Sequence, residues 1–186
     1  MSSPPSPPAT PTLPAGPYRR RTARVLLVNA KNELLLFEWP RRGLPGQTSW
    51  STPGGGKGRF ETPARAAARE LREETGLRIS AKKLGPPVAA TGGWADLGFA
   101  QGIFRDDFFF HRVDHHEVDL TRGLEYERKT IVSIRWWTLD ELAGSEARIV
   151  PFGLVPLLTE LFAGQRPDRL VILPWHHDQP HREPAG

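Results

Sequence analysis

The segment 53–77 constrains the fold of this chain most, because it carries the start and stop signals of a single helix. Thr62 is a suitable N-cap, and Pro63 suits the first helical position, where its missing N–H costs nothing. Gly76 can adopt the left-handed conformation that ends many helices. The sequence therefore predicts a helix over Pro63–Thr75 with defined ends.

This helix has two contrasting faces when its residues are placed at about 100° per residue. The face expected to pack on a sheet consists of Ala64, Ala67, Ala68, Leu71 and Thr75. Glu70, Glu73 and Glu74 share an exposed acidic face, where like charges cost a few tenths of a kcal/mol per pair. A bound Mg²⁺ or Mn²⁺ would remove that cost. The alternative is a solvated face neutralised by the neighbouring arginines.

Three consecutive glycines, Gly54-Gly55-Gly56, stand before the helix. They allow positive φ angles and let a ligand approach the main chain closely. Free N–H groups beside a helix N-terminus favour anions, whereas a carbonyl turned inward can ligate a metal. Together with the acidic face, this segment is a candidate site for a metal and a phosphate.

The spacing of these residues resembles the Nudix box, G-x5-E-x7-R-E-U-x-E-E-x-G-U with U aliphatic. The chain has Gly55, five residues, Glu61, seven residues and then RELREETGL over 69–77, so every fixed position is filled. The order of elements over 18–174 also resembles a Nudix domain. The resemblance implies an α/β fold of the Nudix type, an α/β/α sandwich with a mixed β-sheet and a loop–helix–loop catalytic motif.

The resemblance also implies an activity and a set of roles. It implies that a metal-activated water hydrolyses the diphosphate linkage of a nucleoside diphosphate joined to another moiety. Glu70 and Glu74 would hold Mg²⁺ or Mn²⁺, with Glu73 assisting and the Gly55 carbonyl as a further ligand. Glu70, Glu73 and Arg69 would be catalytic, with Arg69 orienting the glutamates. The competing interpretation is a non-catalytic nucleotide-binding regulatory module on the same fold, for which a degraded box would be expected.

A general base can come from a box glutamate or from a glutamate further along the chain. The loop candidates are Glu117, Glu125 and Glu127, which precede a strand with two tryptophans. Glu127 is the first choice because it lies closest to that strand. The alternative is that Glu127 is an ordinary surface residue.

The loop before the helix departs from a pattern that many family members share. Gly58 stands where these members have glutamate, and Phe60 stands where they have glycine. The change could weaken a metal contact or reshape the loop. Glu61, which is expected to support this loop, is present.

The remaining pattern predicts strands and short helices around the box. Strands are expected at 22–30, 33–39, 49–52, 79–90, 100–113 and 131–138, with helices from Asp140 and over 152–162. The first two strands should form a hairpin across Lys31-Asn32. The predicted organisation is a disordered Pro/Ser-rich tail at 1–17, a Nudix domain at 18–174 and a polar tail at 175–186.

Composition limits the function classes that remain. No cysteine is present, which excludes disulfides, thiolate nucleophiles and cysteine-ligated metals. The absence of cysteine also fits a cytoplasmic protein, and no apolar run is long enough to span a membrane. The formal charge of +4 predicts a mildly basic surface that attracts a small-molecule nucleotide derivative rather than nucleic acid. A monomer and a homodimer are both compatible with the sequence, which does not distinguish the substrate further.

Overall fold

One mixed nine-stranded sheet and five α-helices make up the part of the chain that the computed structural model describes. That part is residues 11–98, 100–122 and 125–177, with only the main chain at 122 and 126–128. The strands are β1 (Arg20–Val28), β2 (Leu34–Pro40), β3 (Thr48–Ser51), β4 (Gly54–Gly56), β5 (Ala89–Asp96), β6 (Gln101–Arg112), β7 (Ser133–Trp137), β8 (Ile149–Val150) and β9 (Val171–Ile172). The helices are α1 (Pro63–Thr75), α2 (Ala81–Leu84), α3 (Glu125–Thr130), α4 (Leu139–Gly144) and α5 (Leu154–Phe162).

The strands follow the order β8-β3-β2-β1-β6-β5-β9, with β4 also paired to β1 and β7 to β2. β1 runs parallel to β6, in a register that places Arg20 beside Phe104 and Val28 beside Arg112. β1 is antiparallel to both β2 and β4. The sheet is therefore mixed, as predicted, and β1 lies near its centre.

Alternation along β1 supplies core residues to both faces of the sheet. Ala23, Val25 and Leu27 face α1, whereas Leu26 and Val28 face α5, and all five are fully buried. Each buried leucine contributes about 1.5–3 kcal/mol relative to an exposed one. Helices on both faces complete a three-layered sandwich, which confirms the predicted fold class. Among the described residues, no helix has the length and apolar character needed to cross a bilayer.

The predicted hairpin of β1 and β2 forms, but its strands separate soon after the turn. Their ladder contains the Cα pair Val28 and Leu34. Nearer the start of β1, β4 takes the place of β2, and Gly54–Gly56 pairs with residues 22–24. The glycine-rich strand therefore lies beside the central strand, where α1 packs on it.

The strand predicted over 79–90 is wrong for most of its length. Helix α2 occupies Ala81–Leu84, and β5 starts only at Ala89. Gly85 ends α2, and the two prolines that follow it lack the N–H groups that a strand ladder requires. The apolar residues of this stretch therefore belong to two different elements.

Residues beyond both ends of the predicted domain contact β5. Leu13 lies against Gly92, where a methyl group would come within 3.2 Å of its Cδ2. Trp175 lies against Gly93, where a methyl group would come within 2.3 Å of the indole. The outer parts of the predicted tails lie outside the described residues, so the domain boundaries remain predictions.

Candidate functional site

Helix α1 begins and ends where the sequence predicts. The Thr62 hydroxyl accepts a hydrogen bond from the N–H of Arg65 at 3.3 Å, and Pro63 occupies the first turn. An N-cap of this kind contributes about 1 kcal/mol. At the other end Gly76 has a φ of 77° and donates its N–H to the carbonyl of Arg72. These ends fix the position of the box glutamates along the chain.

The acidic face of α1 is not the exposed surface that the sequence predicts. Glu70 and Glu74 are only 9% and 7% exposed, whereas the side chain of Glu73 is 42% exposed. The glycine-rich strand β4 packs along the side of the helix that carries Glu70 and Glu74. The three glutamates therefore form two buried carboxylates and one at the rim.

The apolar face of α1 is shifted for the same reason. Ala67, Leu71 and Thr75 are fully buried, as predicted. Ala66 is fully buried as well, whereas Ala64 and Ala68 are only partly buried. The buried sector of the helix is thus turned toward β4 as well as toward the sheet.

Glu74 is hydrogen-bonded to the glycine-rich strand. The N–H of Gly54 donates to its Oε2 at 2.6 Å, and bonds to a charged acceptor are roughly twice as strong as neutral ones. Gly54 has a φ of 140°, and a methyl group there would lie 2.4 Å from the carbonyl oxygen of Ala23. This position therefore requires glycine.

Glu70 lies directly against the next residue of the same strand. A methyl group at Gly55 would come within 2.6–2.7 Å of the carboxyl atoms of Glu70. The absence of a side chain at Gly55 thus provides the space that the carboxylate occupies. Two consecutive glycines each accommodate one of the two buried glutamates.

Arg69 gathers the remaining acidic groups. Its guanidinium donates to Glu61 twice at 3.1 Å, to Glu70 at 2.7 Å and to Glu73 at 3.2 Å. It also donates to the Gly56 carbonyl at 2.9 Å. The hydrogen bonds to Glu61 raise the pKa of Arg69, and the same bonds hold the pKa of Glu61 below its usual value. The structure therefore brings together Arg69, which is expected to orient the glutamates, and Glu61, which is expected to support the loop.

Four carboxylates share this site with the single guanidinium of Arg69. An oxygen-only donor set with excess negative charge suits a hard divalent cation. Within the described ranges, no group of three or more His, Asp or Glu side chains has the arrangement of a metal site. Arg69 engages three of these four carboxylates, namely Glu61, Glu70 and Glu73. Glu70 and Glu74, which lie against adjacent glycines, are the pair that could hold a cation.

The sequence of the chain matches a known protein family. The family model of the NUDIX domain matches residues 18–158. The chain belongs to the Nudix family. This membership confirms the resemblance carried by the spacing of Gly55, Glu61 and the residues 69–77.

Two curated relatives and one solved structure extend the comparison. The RNA pyrophosphohydrolase of Cellvibrio japonicus is 37% identical over 130 residues, which are 70% of this chain and 62% of the relative. That of Hahella chejuensis is 36% identical over 88 residues, or 47% of this chain and 50% of the relative. The chain thus spans about half to three fifths of these relatives. A mutator MutT protein from Bacillus halodurans, 21% identical, shares the fold with a TM-score of 0.56 over 88% of this chain and 93% of its own.

The glutamates that could supply a base to this Nudix site differ in their surroundings. Glu117 is almost fully exposed beside His115, and Glu125 pairs with Lys129 on α3 at 2.7 Å. The main chain at Glu127 is helical rather than a loop, since it lies within α3. The side chain of Glu127 lies outside the described residues, so its role as a base remains a prediction.

Two arginines of β1 lie against the glycine-rich strand of the Nudix site, and neither was predicted to do so from the sequence. Arg24 donates to the Thr52 carbonyl at 2.9 Å, and its side chain lies within 2.8 Å of a methyl group built at Gly54. The guanidinium of Arg20 lies 2.7 Å from one built at Gly56. The alternation R-x-T-x-R at 20–24 is the signal that could have placed them on one face.

Trp39 and Trp50 pack against other aromatic rings of the fold. Trp50 is buried and packs edge-to-face on Trp137, with ring centroids 5.0 Å apart. Trp39 is half-buried, with its ring 6.4 Å from that of Phe37.

Two histidines, His116 and His176, contact other parts of the fold. His116 lies 2.7 Å from the carbonyl of Thr75 at the end of α1. His176 is nearly buried 3.9 Å from Asp106, and its Nδ1 has no hydrogen-bond partner among the described residues. Burial lowers the pKa of His176 to about 4. This histidine therefore remains neutral near pH 7.

Proposed function

We propose that the chain hydrolyses a diphosphate linkage in a nucleoside 5′-polyphosphate, with α1 and the glycine-rich strand as its active site. The observation that carries this proposal is the pair of buried carboxylates, Glu70 and Glu74, held against Gly54 and Gly55. Two buried carboxylates side by side repel each other, and Arg69 shares its single positive charge among Glu61, Glu70 and Glu73. A helix that served only to pack on a sheet would gain nothing from this repulsion.

Glu70 and Glu74 are the proposed ligands of Mg²⁺ or Mn²⁺, with Glu73 and the Gly55 carbonyl as further oxygen donors. These oxygens match the preference of hard cations for carboxylate and carbonyl ligands. A bound cation of this kind supplies a Lewis acid that lowers the pKa of a water and neutralises phosphate charge. Arg69 keeps Glu70 and Glu73 oriented through its hydrogen bonds.

Glu73 is the proposed acceptor of the proton from the attacking water. Its carboxylate is the most exposed of the three and is held by Arg69 at 3.2 Å. The water oxygen bonds to phosphorus, its proton passes to the carboxylate, and the bridging P–O bond breaks with its electron pair on the leaving phosphate. Arg20 and Arg24 offset phosphate charge from the opposite side of the glycine-rich strand. Glu127 is the second candidate base.

The 5′ end of RNA is the proposed substrate class, because relatives of this chain are named RNA pyrophosphohydrolases. This substrate departs from the sequence-based prediction that no nucleic acid is bound. Four cations along the glycine-rich strand and the following loop support a polyanionic ligand; they are Arg20, Arg24, Lys57 and Arg59. The cytoplasmic location remains a prediction.

A substrate panel tests the proposed activity. Triphosphorylated RNA, nucleoside triphosphates, dinucleoside polyphosphates and nucleoside diphosphate sugars would be incubated with the full chain and Mg²⁺ or Mn²⁺, and products separated by chromatography. We expect diphosphate cleavage of the RNA and a loss of about a hundredfold in Glu73→Gln. Glu160→Gln, a change of an exposed glutamate on α5, is the control.

The same panel separates the enzyme from the regulatory module. Nucleotide binding without cleavage of any diphosphate would replace the proposed hydrolase by a binding protein. Cleavage that survives in Glu73→Gln but is lost in Glu127→Gln would move the base to α3.

A further inference from the structure

A large aromatic side chain stands in solvent beside the proposed active site. Phe60 is 91% exposed, so its ring contributes almost nothing to the core. The guanidinium of Arg59 lies 5.3 Å from the centre of this ring. The ring and the guanidinium therefore form one small exposed unit in the loop between β4 and α1.

This loop is held in place by its own hydrogen bonds. The ammonium of Lys57 donates to the carbonyls of Gly58 and Glu61 at 2.9 and 3.1 Å. The N–H of Gly58 donates to Oε2 of Glu61, and the N–H of Glu61 returns a bond to the Gly58 carbonyl. Phe60 is the residue before Glu61, whose carboxylate is bonded to Arg69. The main chain that carries the exposed ring is thus tied to the proposed catalytic residues.

Two arginines flank Phe60 in the sequence, and one of them lies against its ring. Arg59 and Arg65 are exposed on either side of it in sequence. In the described part of the chain, neither guanidinium forms a salt bridge. A phosphate group next to the ring would therefore meet the positive charge of Arg59.

From this arrangement we propose that Phe60 and Arg59 form a stacking platform for an unpaired base of RNA whose 5′ phosphates occupy the neighbouring site. The proposal rests on the function proposed above. Single-stranded RNA is recognised by stacking of unpaired bases on aromatic rings and guanidinium planes. One ring is sufficient for a base, whereas a stable protein interface requires on the order of 1,000 Å². The other exposed large hydrophobic side chains among the described residues, Leu44 and Val132, belong to separate segments.

Binding of the reaction product provides a test that does not require turnover. A fluorescent single-stranded RNA with a 5′ monophosphate would be titrated with wild type, Phe60→Ala and Phe60→Trp, and anisotropy recorded over a range of salt concentrations. Stacking predicts that Phe60→Ala raises Kd about tenfold, equivalent to about 1.4 kcal/mol, while tryptophan retains the affinity. The slope of log Kd against log salt should stay the same in Phe60→Ala and decrease by about one in Arg59→Gln. Val132→Ala, which removes another exposed apolar side chain, should match wild type.

Several results would overturn the platform. They are a Kd for Phe60→Ala within about twofold of wild type, a failure of wild type to bind the RNA, or an effect of Val132→Ala equal to that of Phe60→Ala. If Phe60→Ala bound RNA as tightly as wild type but no longer sedimented with anionic phospholipid vesicles, the ring would be assigned to a membrane surface instead. Wild type that binds RNA through Phe60 but cleaves no diphosphate would refute the proposed hydrolase and leave the platform standing.

Discussion

The main-chain N–H of Gly54 and the carboxylate of Glu74 are joined by a hydrogen bond of 2.6 Å, although 20 residues separate them in the chain. Both groups are buried. The bond attaches the end of helix α1 to the strand that inserts beside β1. It also makes Glu74 a structural residue as well as a proposed metal ligand.

We expect Glu74→Ala to destabilise the cation-free protein by about 1–3 kcal/mol, because a buried N–H loses its charged acceptor. Glu73→Ala should change stability by less than about 0.5 kcal/mol, since its side chain is partly exposed. Urea unfolding of both variants in chelator compares the two costs. Equal stability of the two variants would show that the Gly54 bond contributes little.

Cation binding should stabilise the folded chain through the buried pair of glutamates. A ligand that binds only the folded state adds RT ln(1 + [L]/Kd), about 2.7 kcal/mol at a hundredfold excess over Kd. We expect millimolar Mg²⁺ or Mn²⁺ to raise the melting temperature by a few degrees, and the rise to be lost in Glu70→Gln. Calorimetry with and without chelator measures the shift, with Glu160→Gln as the control. A rise of equal size in Glu70→Gln would place the cation elsewhere.

Gly55→Ala should leave the protein folded but reduce activity at least tenfold. The added methyl group would lie within 2.6–2.7 Å of the carboxyl atoms of Glu70, which can rotate away because they end a flexible side chain. At Gly58, in the loop that follows β4, the nearest atom to an added methyl group is 3.4 Å away, so Gly58→Ala is the matched control. Initial rates and melting temperatures of both variants distinguish displacement of Glu70 from a general effect on the loop.

Stability should decrease on acidification because of His176. Burial lowers the folded pKa to about 4 from an ordinary 6.5, so between these values the unfolded chain binds a proton that the folded chain does not. The contribution of neutral His176 to the free energy of unfolding is fully present above pH 6.5 and declines by roughly 3 kcal/mol as the pH falls to 4. Urea unfolding across this range measures the free energy of unfolding at each pH. This free energy should decline less steeply in His176→Gln than in wild type, whereas the exposed His115→Gln should show the same decline as wild type. The same slope in all three proteins would exclude this origin.

Local signals made helix α1 predictable to the residue. The cap at Thr62, the proline after it and the left-handed Gly76 act within one or two turns of the main chain that they terminate. The box spacing is also local, so the family and the set of acidic residues could be inferred from the sequence. Segment 79–90 shows where prediction from local pattern fails. Its apolar residues suit a strand, but Gly85 and the two prolines after it divide the segment between α2 and β5.

The sequence by itself determined where helix α1 begins and ends, which carboxylates it carries and that three glycines precede it. Only the tertiary structure decided that Glu70 and Glu74 are buried while Glu73 is at the rim, because the side of a helix that β4 covers depends on how the strands pair. It also placed Arg20 and Arg24 over the glycine-rich strand. Contacts between residues far apart in sequence result from the pairing of β1 with β4, and periodicity within one segment contains no information about that pairing.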